Sequence, residues 1–226
     1  MTAGLILAFG QSAAGDAGRQ AEADRLAACI EQIDVDAEAA YEDGLAWIGE
    51  GARPAARQCT ALALVALGHA AEGAIRLEEL AKAKNTGSLE QRYIYLIQAG
   101  HAWLLAQDPE AALTAFDSAG QIRAADPDLA ADRAAALMRL GRWEEAGEAL
   151  DEAVAQRPSD GVFRKLRAEV HLAQGDLDAA EADIYQAIAS DAEDIDAYVL
   201  RGRVNEARRI RAADPTFEPI IRTGDE

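Results

Sequence analysis

The sequence repeats itself at a fixed interval. Gly141 and Ala146 recur one interval later as Gly175 and Ala180. The same interval relates Leu150 to Ile184, Ala153 to Ala187, Ala134 to Ala168 and Met138 to Leu172, and one interval earlier it reaches Gly100, Trp103, Leu104, Ala112, Phe116 and Ala119. A period of about 34 residues is typical of repeat architectures, in which each unit buries its apolar face against its neighbours.

Each unit is predicted to be an antiparallel pair of helices. The hydrophobic half of the chain is mostly Ala and Leu, with 5% aromatic residues and only 6 Pro, which favours helices over strands. Gly141 is predicted to form the turn inside a unit, Pro109 to begin a second helix and Pro158 to follow the end of one. We therefore expect an all-α fold.

These residues resemble the tetratricopeptide repeat, in which small and large apolar residues recur at fixed offsets over about 34 residues. The resemblance covers residues 54–212 and implies a right-handed α-solenoid that ends in a capping helix, opened here by Tyr198 and Gly202. An earlier unit has its repeat residues at Ala61, Leu64, Gly68, Gly73, Leu77 and Leu80. Gly73 and Ala112 are farther apart than one period, so we place an insertion near 85–88.

The two ends of the chain fit the repeat less well. Two helices, Ala17–Ile33 and Asp36–Gly49, are predicted in region 17–53, which is either an N-terminal cap or a degenerate repeat. Residues 213–226 are predicted to be a C-terminal tail.

Residues 1–14 resemble a secretory signal peptide. An apolar run over residues 3–10 precedes Ser12-Ala13-Ala14, which would allow cleavage before Gly15. No cationic residue precedes the run, so an incomplete signal and an ordinary N-terminal helix both stay open. The first interpretation predicts a periplasmic or secreted protein, and the second a cytoplasmic one.

The two cysteines, Cys29 and Cys59, are predicted to form a disulfide that joins the N-terminal region to the first regular repeat. Two free thiols are the alternative that a reducing compartment would favour. Two thiolates without a nearby His or third Cys do not complete a zinc shell, so no metal is predicted.

The net charge of −18 repels nucleic acid and anionic lipid. Outside the N-terminal run, no stretch approaches the ~18 apolar residues of a membrane span. We therefore predict a protein or peptide partner, no nucleic acid and no membrane insertion of the mature chain.

No convergent catalytic constellation is visible, and neither enzymatic activity nor a cofactor is predicted. His69 is placed in a turn, His101 on the groove side or the surface, and His171 in a packing position. The acidic pairs are predicted to lie on the solvated outer face of second helices, whereas the buried stripe of residues 141–158 takes the apolar positions. The pairs are Glu144-Glu145, Asp151-Glu152 and Glu181-Asp183, and the stripe is Trp143, Ala146, Leu150 and Ala153.

The resemblance implies a concave groove lined by the first helix of each pair. The corresponding residues are Ile94, Ile97, His101, Leu104, Asp128, Ala131, Ala135, Lys165, Glu169, Val199 and Arg203. Lys165 matches one residue of the family's clamp for a terminal carboxylate, but Glu169 and Ala135 replace the expected amides, which argues against that activity. Arg201 and Arg203 are predicted either to pair with Glu206 or to meet an acidic partner.

The function predicted is that of a non-enzymatic scaffold that binds a peptide or a partner helix in this groove. The alternative is a structural or assembly subunit docked permanently in a larger complex.

Overall fold

The computed structural model describes residues 8–214, with side chains from residue 17 onwards. Residues 1–7 of the signal-like segment and 215–226 of the tail lie outside the described residues. The described part consists of eleven helices and contains no strand. The helices are α1 (Ala8–Val35), α2 (Ala37–Gly49), α3 (Pro54–Ala66), α4 (Ala70–Lys82), α5 (Leu89–Leu105), α6 (Pro109–Gly120), α7 (Pro127–Arg139), α8 (Trp143–Gln156), α9 (Gly161–Gln174), α10 (Leu177–Ser190) and α11 (Ile195–Ala213).

Helix starts are fixed by aspartate caps and by prolines. Carboxylates at the N-cap accept hydrogen bonds from backbone N–H groups of the first turn and so satisfy donors that have no helical partner. Proline at the first helical position has no N–H to lose. The aspartate caps are Asp36, Asp108, Asp126, Asp160, Asp176 and Asp194, and the prolines are Pro54, Pro109 and Pro127.

Of the two helices predicted with bounds, α2 agrees to within one residue, whereas α1 is longer than predicted at both ends and extends to Val35 rather than Ile33. α1 begins at Ala8 rather than residue 17, so residues 8–14 of the signal-like segment are helical. The predicted insertion lies in the connection between α4 and α5, as expected. There Thr86 is buried and donates to backbone carbonyls of Leu80 and Ala83, while Ser88 forms a capping box at the start of α5.

The described chain divides into two compact units, and the first ends at Ala106. In unit 1, α1 packs on α2 and α3, and each later helix packs on the next as far as α5. Cys29 and Cys59 form the predicted disulfide, with a Cα–Cα distance of 6.0 Å. Trp47 and Ala56 are buried beside it, so the disulfide lies in a small apolar core. The chain thus contains a covalent link between α1 and α3.

Unit 2 begins at Gln107 and contains α6 to α11. Each helix packs on the next, and α9 additionally contacts both α7 and α11. Three of the repeat positions, Phe116, Leu150 and Ile184, are fully buried, whereas Met138 is half-buried. Because α7, α9 and α11 are the first helices of successive units, they lie side by side.

The outer-face and stripe predictions hold with three exceptions, of which the first is Glu181, which is half-buried and forms an ion pair with Arg208. Ala146, Leu150 and Ala153 are buried, and Glu144, Glu145, Asp151 and Glu152 are exposed. Trp143, the first residue of α8, is only half-buried. Asp183, predicted to face water, is 3% exposed, which is a wrong prediction explained by two arginines described below.

Candidate functional site

The candidate site in unit 2 is the surface formed by α7, α9 and α11, here called the unit 2 face. Its predicted residues are Asp128, Ala131 and Ala135 on α7, Lys165 and Glu169 on α9, and Val199 and Arg203 on α11. Contacts between α7 and α9 and between α9 and α11 bring these helices together on one side of the unit. The repeat offset therefore selected residues from helices that do adjoin.

Two ion pairs connect α9 to the start and the middle of α11 across this face. Lys165 Nζ lies 2.6 Å from Asp194 Oδ2, and Arg203 Nη1 lies 3.4 Å from Glu169 Oε1. The hydrogen bond from Lys165 holds the pKa of Asp194 below its usual value. Lys165 and Arg203, the two cations predicted for this face, are consequently engaged with carboxylates of the protein itself.

The predicted pairing of Arg201 and Arg203 with Glu206 is wrong. Arg209 forms that pair instead, at 2.7 Å. Arg203 reaches Glu169 on α9, and the Arg201 guanidinium stacks over the Tyr198 ring at 4.8 Å. Both arginines therefore contact groups other than Glu206.

The α7 part of the face offers less surface than predicted. Ala131 is 7% exposed and contributes packing rather than an accessible contact. Ala135 is half-buried, and exposed Asp128 forms an ion pair with Arg157. The accessible part of the face is therefore mainly on α9 and α11.

Two exposed aliphatic residues of this face were missed by the sequence prediction. Val162 is 57% exposed and Ile195 is 74% exposed, beside the predicted Val199 at 58%. Val162 stands one repeat period after Asp128 and two periods after Ile94, so the offset that selected those two residues also points to it. Ile195 is the first residue of α11, and the repeat offset relates it to Gly161 and Pro127, neither of which had been predicted as a face residue.

The predicted residues of unit 1 all lie on α5. Ile94 and His101 are exposed, whereas Ile97 and Leu104 are half-buried. Leu105, not predicted, is 65% exposed at the end of the same helix. Next to Ile97, the side chain of Gln98 accepts a 2.9 Å hydrogen bond from Gln58 Nε2 on α3. These residues form an accessible, partly apolar surface of unit 1.

A buried charge cluster lies between α9 and α10. Arg167 donates from Nε and Nη2 to the two carboxylate oxygens of Asp183 at 2.7 and 2.8 Å, and Arg164 Nη1 donates to the same carboxylate at 2.7 Å. Burial alone would raise the pKa of Asp183, but the hydrogen bonds from both arginines hold it below its usual value. Arg167 also reaches Asp151 on α8 at 2.8 Å. Every charge in the cluster is compensated, which indicates a structural role.

His171 lies beside this cluster, as its predicted packing position requires. Its Nε2 is 3.8 Å from Asp183 Oδ2, and its Nδ1 is buried without a hydrogen-bond partner. His69 stands at the N-cap of α4, in the predicted turn between α3 and α4.

Among the residues that the structure describes, no three His, Cys, Asp or Glu side chains are grouped so that they could hold a metal ion. No helix within residues 8–214 combines the length and apolar character needed to cross a membrane.

The fold and this face define a helical repeat protein. Residues 104–170 match the family model described as "Tetratricopeptide repeat". This match confirms, for residues 104–170, the resemblance to the tetratricopeptide repeat (TPR) inferred from the sequence. The predicted fold class of the chain, an all-α solenoid of antiparallel helix pairs, is confirmed as well.

Solved structures show the same fold over most of the chain. A thermophilic TPR protein of Thermus thermophilus has a TM-score of 0.58 and 22% identity, covering 83% of this chain and 99% of its own. YrrB, a TPR protein with an unusual peptide-binding site, has a TM-score of 0.60 and 14% sequence identity, and the match covers 79% of this chain and 88% of YrrB. MamA of Desulfovibrio magneticus RS-1, from residue 41 onwards, has a TM-score of 0.55 and 17% sequence identity, and the match covers 71% of this chain and 96% of that one. No curated protein sequence matches the chain.

Proposed function

We propose that the chain is a non-enzymatic protein-interaction module whose unit 2 face binds an extended peptide or a partner helix. The observation that carries this proposal is the exposure of Val162, Ile195 and Val199 on two adjoining helices. Aliphatic side chains that remain more than half exposed on a fixed helical surface gain free energy when a partner covers them. The fold shared with YrrB, a TPR protein that has a peptide-binding site, supports the same function.

Recognition of a terminal carboxylate by this face is disfavoured by its ion pairs. An incoming carboxylate would have to displace Asp194 from Lys165, or Glu169 from Arg203. Each exchange replaces one carboxylate by another and so yields little net electrostatic gain. Binding is therefore expected to depend on apolar contacts, with polar groups fixing the register of the partner.

The test is capture of partners from a native lysate by the full chain and by two variants. Val199→Asp places a charge on the unit 2 face, whereas Ile75→Asp places one on α4, where Ile75 is 47% exposed. We expect Val199→Asp to lose the captured proteins and Ile75→Asp to retain them, both variants keeping the helical circular-dichroism spectrum. Undiminished capture by Val199→Asp would contradict binding at this face.

Export to the periplasm or to the outside of the cell is part of the proposal. It is supported by the Cys29–Cys59 disulfide, because such bonds persist mainly in oxidising compartments. Intact-mass measurement of the protein from its native source tests this. We expect a chain that begins at Gly15 and lacks the two hydrogens of free thiols; an intact N-terminus with two free thiols would overturn export.

A further inference from the structure

The exposed aliphatic residues of unit 2 lie together at one end of its face. Val162, Ile195 and Val199, here called the apolar patch, occupy the first turns of α9 and α11. The bond between Lys165 and Asp194 joins these two helix starts. Gly161, next to Val162, packs so closely on Ser190 at the end of α10 that a side chain there would collide with the serine hydroxyl. The patch is thus next to the connection between α10 and α11.

That connection is acidic, and most of its carboxylates are not neutralised. The connection and the first two residues of α11 together run Asp191-Ala-Glu193-Asp194-Ile-Asp196, so acidic residues occupy all but two of these positions. Asp194 is paired with Lys165, but Asp191, Glu193 and Asp196 are exposed and take part in no ion pair within residues 18–214. These three residues, here called the acidic rim, border the apolar patch.

We propose that the partner of this site is a basic segment that carries aliphatic side chains. Its aliphatic residues cover the apolar patch, and its Lys or Arg side chains pair with the acidic rim at the edge of the buried area. Complementary charges around an apolar centre give specificity and faster association, and they disfavour acidic competitors. The chain's net charge of −18 attracts the same partner at longer range. This inference rests on the proposed function and specifies the chemistry of the partner.

The chemistry of the partner can be tested with four synthetic peptides of equal length. Each contains either Leu or Ser together with either Lys or Glu, which gives the compositions Leu/Lys, Leu/Glu, Ser/Lys and Ser/Glu. Each peptide is labelled and titrated with the full, oxidised chain, and binding is followed by fluorescence anisotropy at physiological salt. We expect the Leu/Lys peptide to bind at least about tenfold more tightly than the other three, a difference of about 1.4 kcal/mol. Equal binding of Ser/Lys would overturn the role of the patch, and preferential binding of Leu/Glu would overturn the basic partner.

The location is tested with two pairs of matched variants and the Leu/Lys peptide. Glu193→Gln/Asp196→Asn removes two charges from the acidic rim, and Glu144→Gln/Glu148→Gln removes two exposed charges from α8. Ile195→Ser/Val199→Ser truncates the patch, and Ile75→Ser/Leu89→Ser truncates two exposed aliphatic residues of unit 1. We expect each unit 2 site variant to weaken binding at least about tenfold and each control to change it less than about twofold.

The outcomes separate this inference from the proposed function. If Glu193→Gln/Asp196→Asn and Glu144→Gln/Glu148→Gln weaken peptide binding equally, the peptide is attracted by the net charge alone. That result would overturn the role of the acidic rim. Binding of Leu/Glu that is lost in Ile195→Ser/Val199→Ser overturns the basic partner but leaves the face as a binding site. If all four peptides bind and Ile195→Ser/Val199→Ser does not weaken their binding, the result counts against both this inference and the proposed function. The absence of any binding would do the same. Circular dichroism and thermal unfolding establish that each variant is folded.

Discussion

Asp183 is a charged residue at a position that neighbouring repeats fill with alanine. Ala149 stands one repeat period before it and Ala115 two periods before it, and both are buried. The carboxylate is tolerated there because Arg164 and Arg167, on the preceding helix, surround it with charge-assisted hydrogen bonds. The repeat register could have revealed its burial, since the same offset that aligns the glycines also aligns Asp183 with two core alanines.

We expect Asp183→Ala to destabilise the protein by roughly 3 kcal/mol, because it leaves two partly buried guanidinium groups without their shared carboxylate. Asp151→Ala is the matched control: it also removes a partner of Arg167, but Asp151 has a 69% exposed side chain. That change should cost less than about 1 kcal/mol. Urea unfolding followed by circular dichroism measures both values. Equal costs would mean that the buried pair contributes no more than a surface one.

The depressed pKa of Asp183 also gives its contribution a definite pH dependence. Because the folded-state pKa lies below the unfolded value of about 3.9, the stabilisation is complete well above pH 4 and is lost as the pH falls through the folded-state pKa. The difference in unfolding free energy between the natural chain and Asp183→Asn should therefore shrink as the pH is lowered from about 6 towards about 3. Urea titrations at several pH values measure this, and a difference that grows on acidification would contradict the assignment.

Two helix glycines are expected to respond to alanine with opposite sign. A Cβ at Gly73 would lie 2.5 Å from Val65 Cγ2 and 2.7 Å from the Ala61 carbonyl oxygen, so Gly73→Ala should destabilise by about 1–3 kcal/mol. At Gly147 the nearest atom is Val170 Cγ1 at 3.5 Å, an ordinary contact. Gly147→Ala should therefore stabilise by about 0.5–1 kcal/mol through its helix preference. Thermal unfolding of both variants measures the two changes in stability. If both changes had the same sign, the packing argument would be wrong for one of the two glycines.

At the scale of the elements, α1 depends on a small set of contacts. Its described partners are α2 and α3, to which it adds Leu26, Ile33 and the disulfide cysteine. The ion pairs Arg25–Glu50 and Arg53–Glu22 are largely exposed and contribute little. The covalent link to α3 is accordingly a major part of what holds this helix.

Replacing both cysteines by alanine should lower the stability by about 3–4 kcal/mol, because the bond joins positions with a sequence separation of 30 and closes that loop in the unfolded chain. Reduction of the disulfide in the natural protein should lower the stability by a similar amount, whereas a reductant should leave the stability of the double alanine variant unchanged. Hydrogen exchange of α1 amides reports the same loss locally. Unaltered protection of α1 without the bond would show that packing alone holds the helix.

At the scale of the whole molecule, acidic residues outnumber basic ones by 40 to 22. The sequence pI of about 4.5 means that the repulsion between molecules disappears near that pH. We expect turbidity to rise on acidification from neutral pH to a maximum near pH 4.5 and to decrease again below it. Light scattering across this range measures the effect, and a solution that stays clear at the pI would contradict it.

The sequence predicted the helices well and the side-chain partners poorly, for a physical reason. Helix positions follow from local features, namely the repeat period, the caps and the prolines, so α2, the start of α6, the turn before α8 and the end of α8 appear where expected. Partners such as Asp194 for Lys165 come from a different repeat and depend on how long side chains extend across helices. Exposure of Ile195 likewise depends on where the helix packing ends, which no local pattern encodes, whereas Val162 could have been found from the repeat offset.

The Asp183 cluster limits how far this repeat protein is modular. Arg167 holds carboxylates on both α8 and α10, so three successive helices share one residue. If α10 were exchanged for α8 or α6 in a chimeric chain, alanine would replace Asp183, and Arg164 and Arg167 would face it unpaired. A repeat graft at this place must therefore transfer the arginines together with the aspartate, and the exchangeable unit is the group of helices rather than the single repeat.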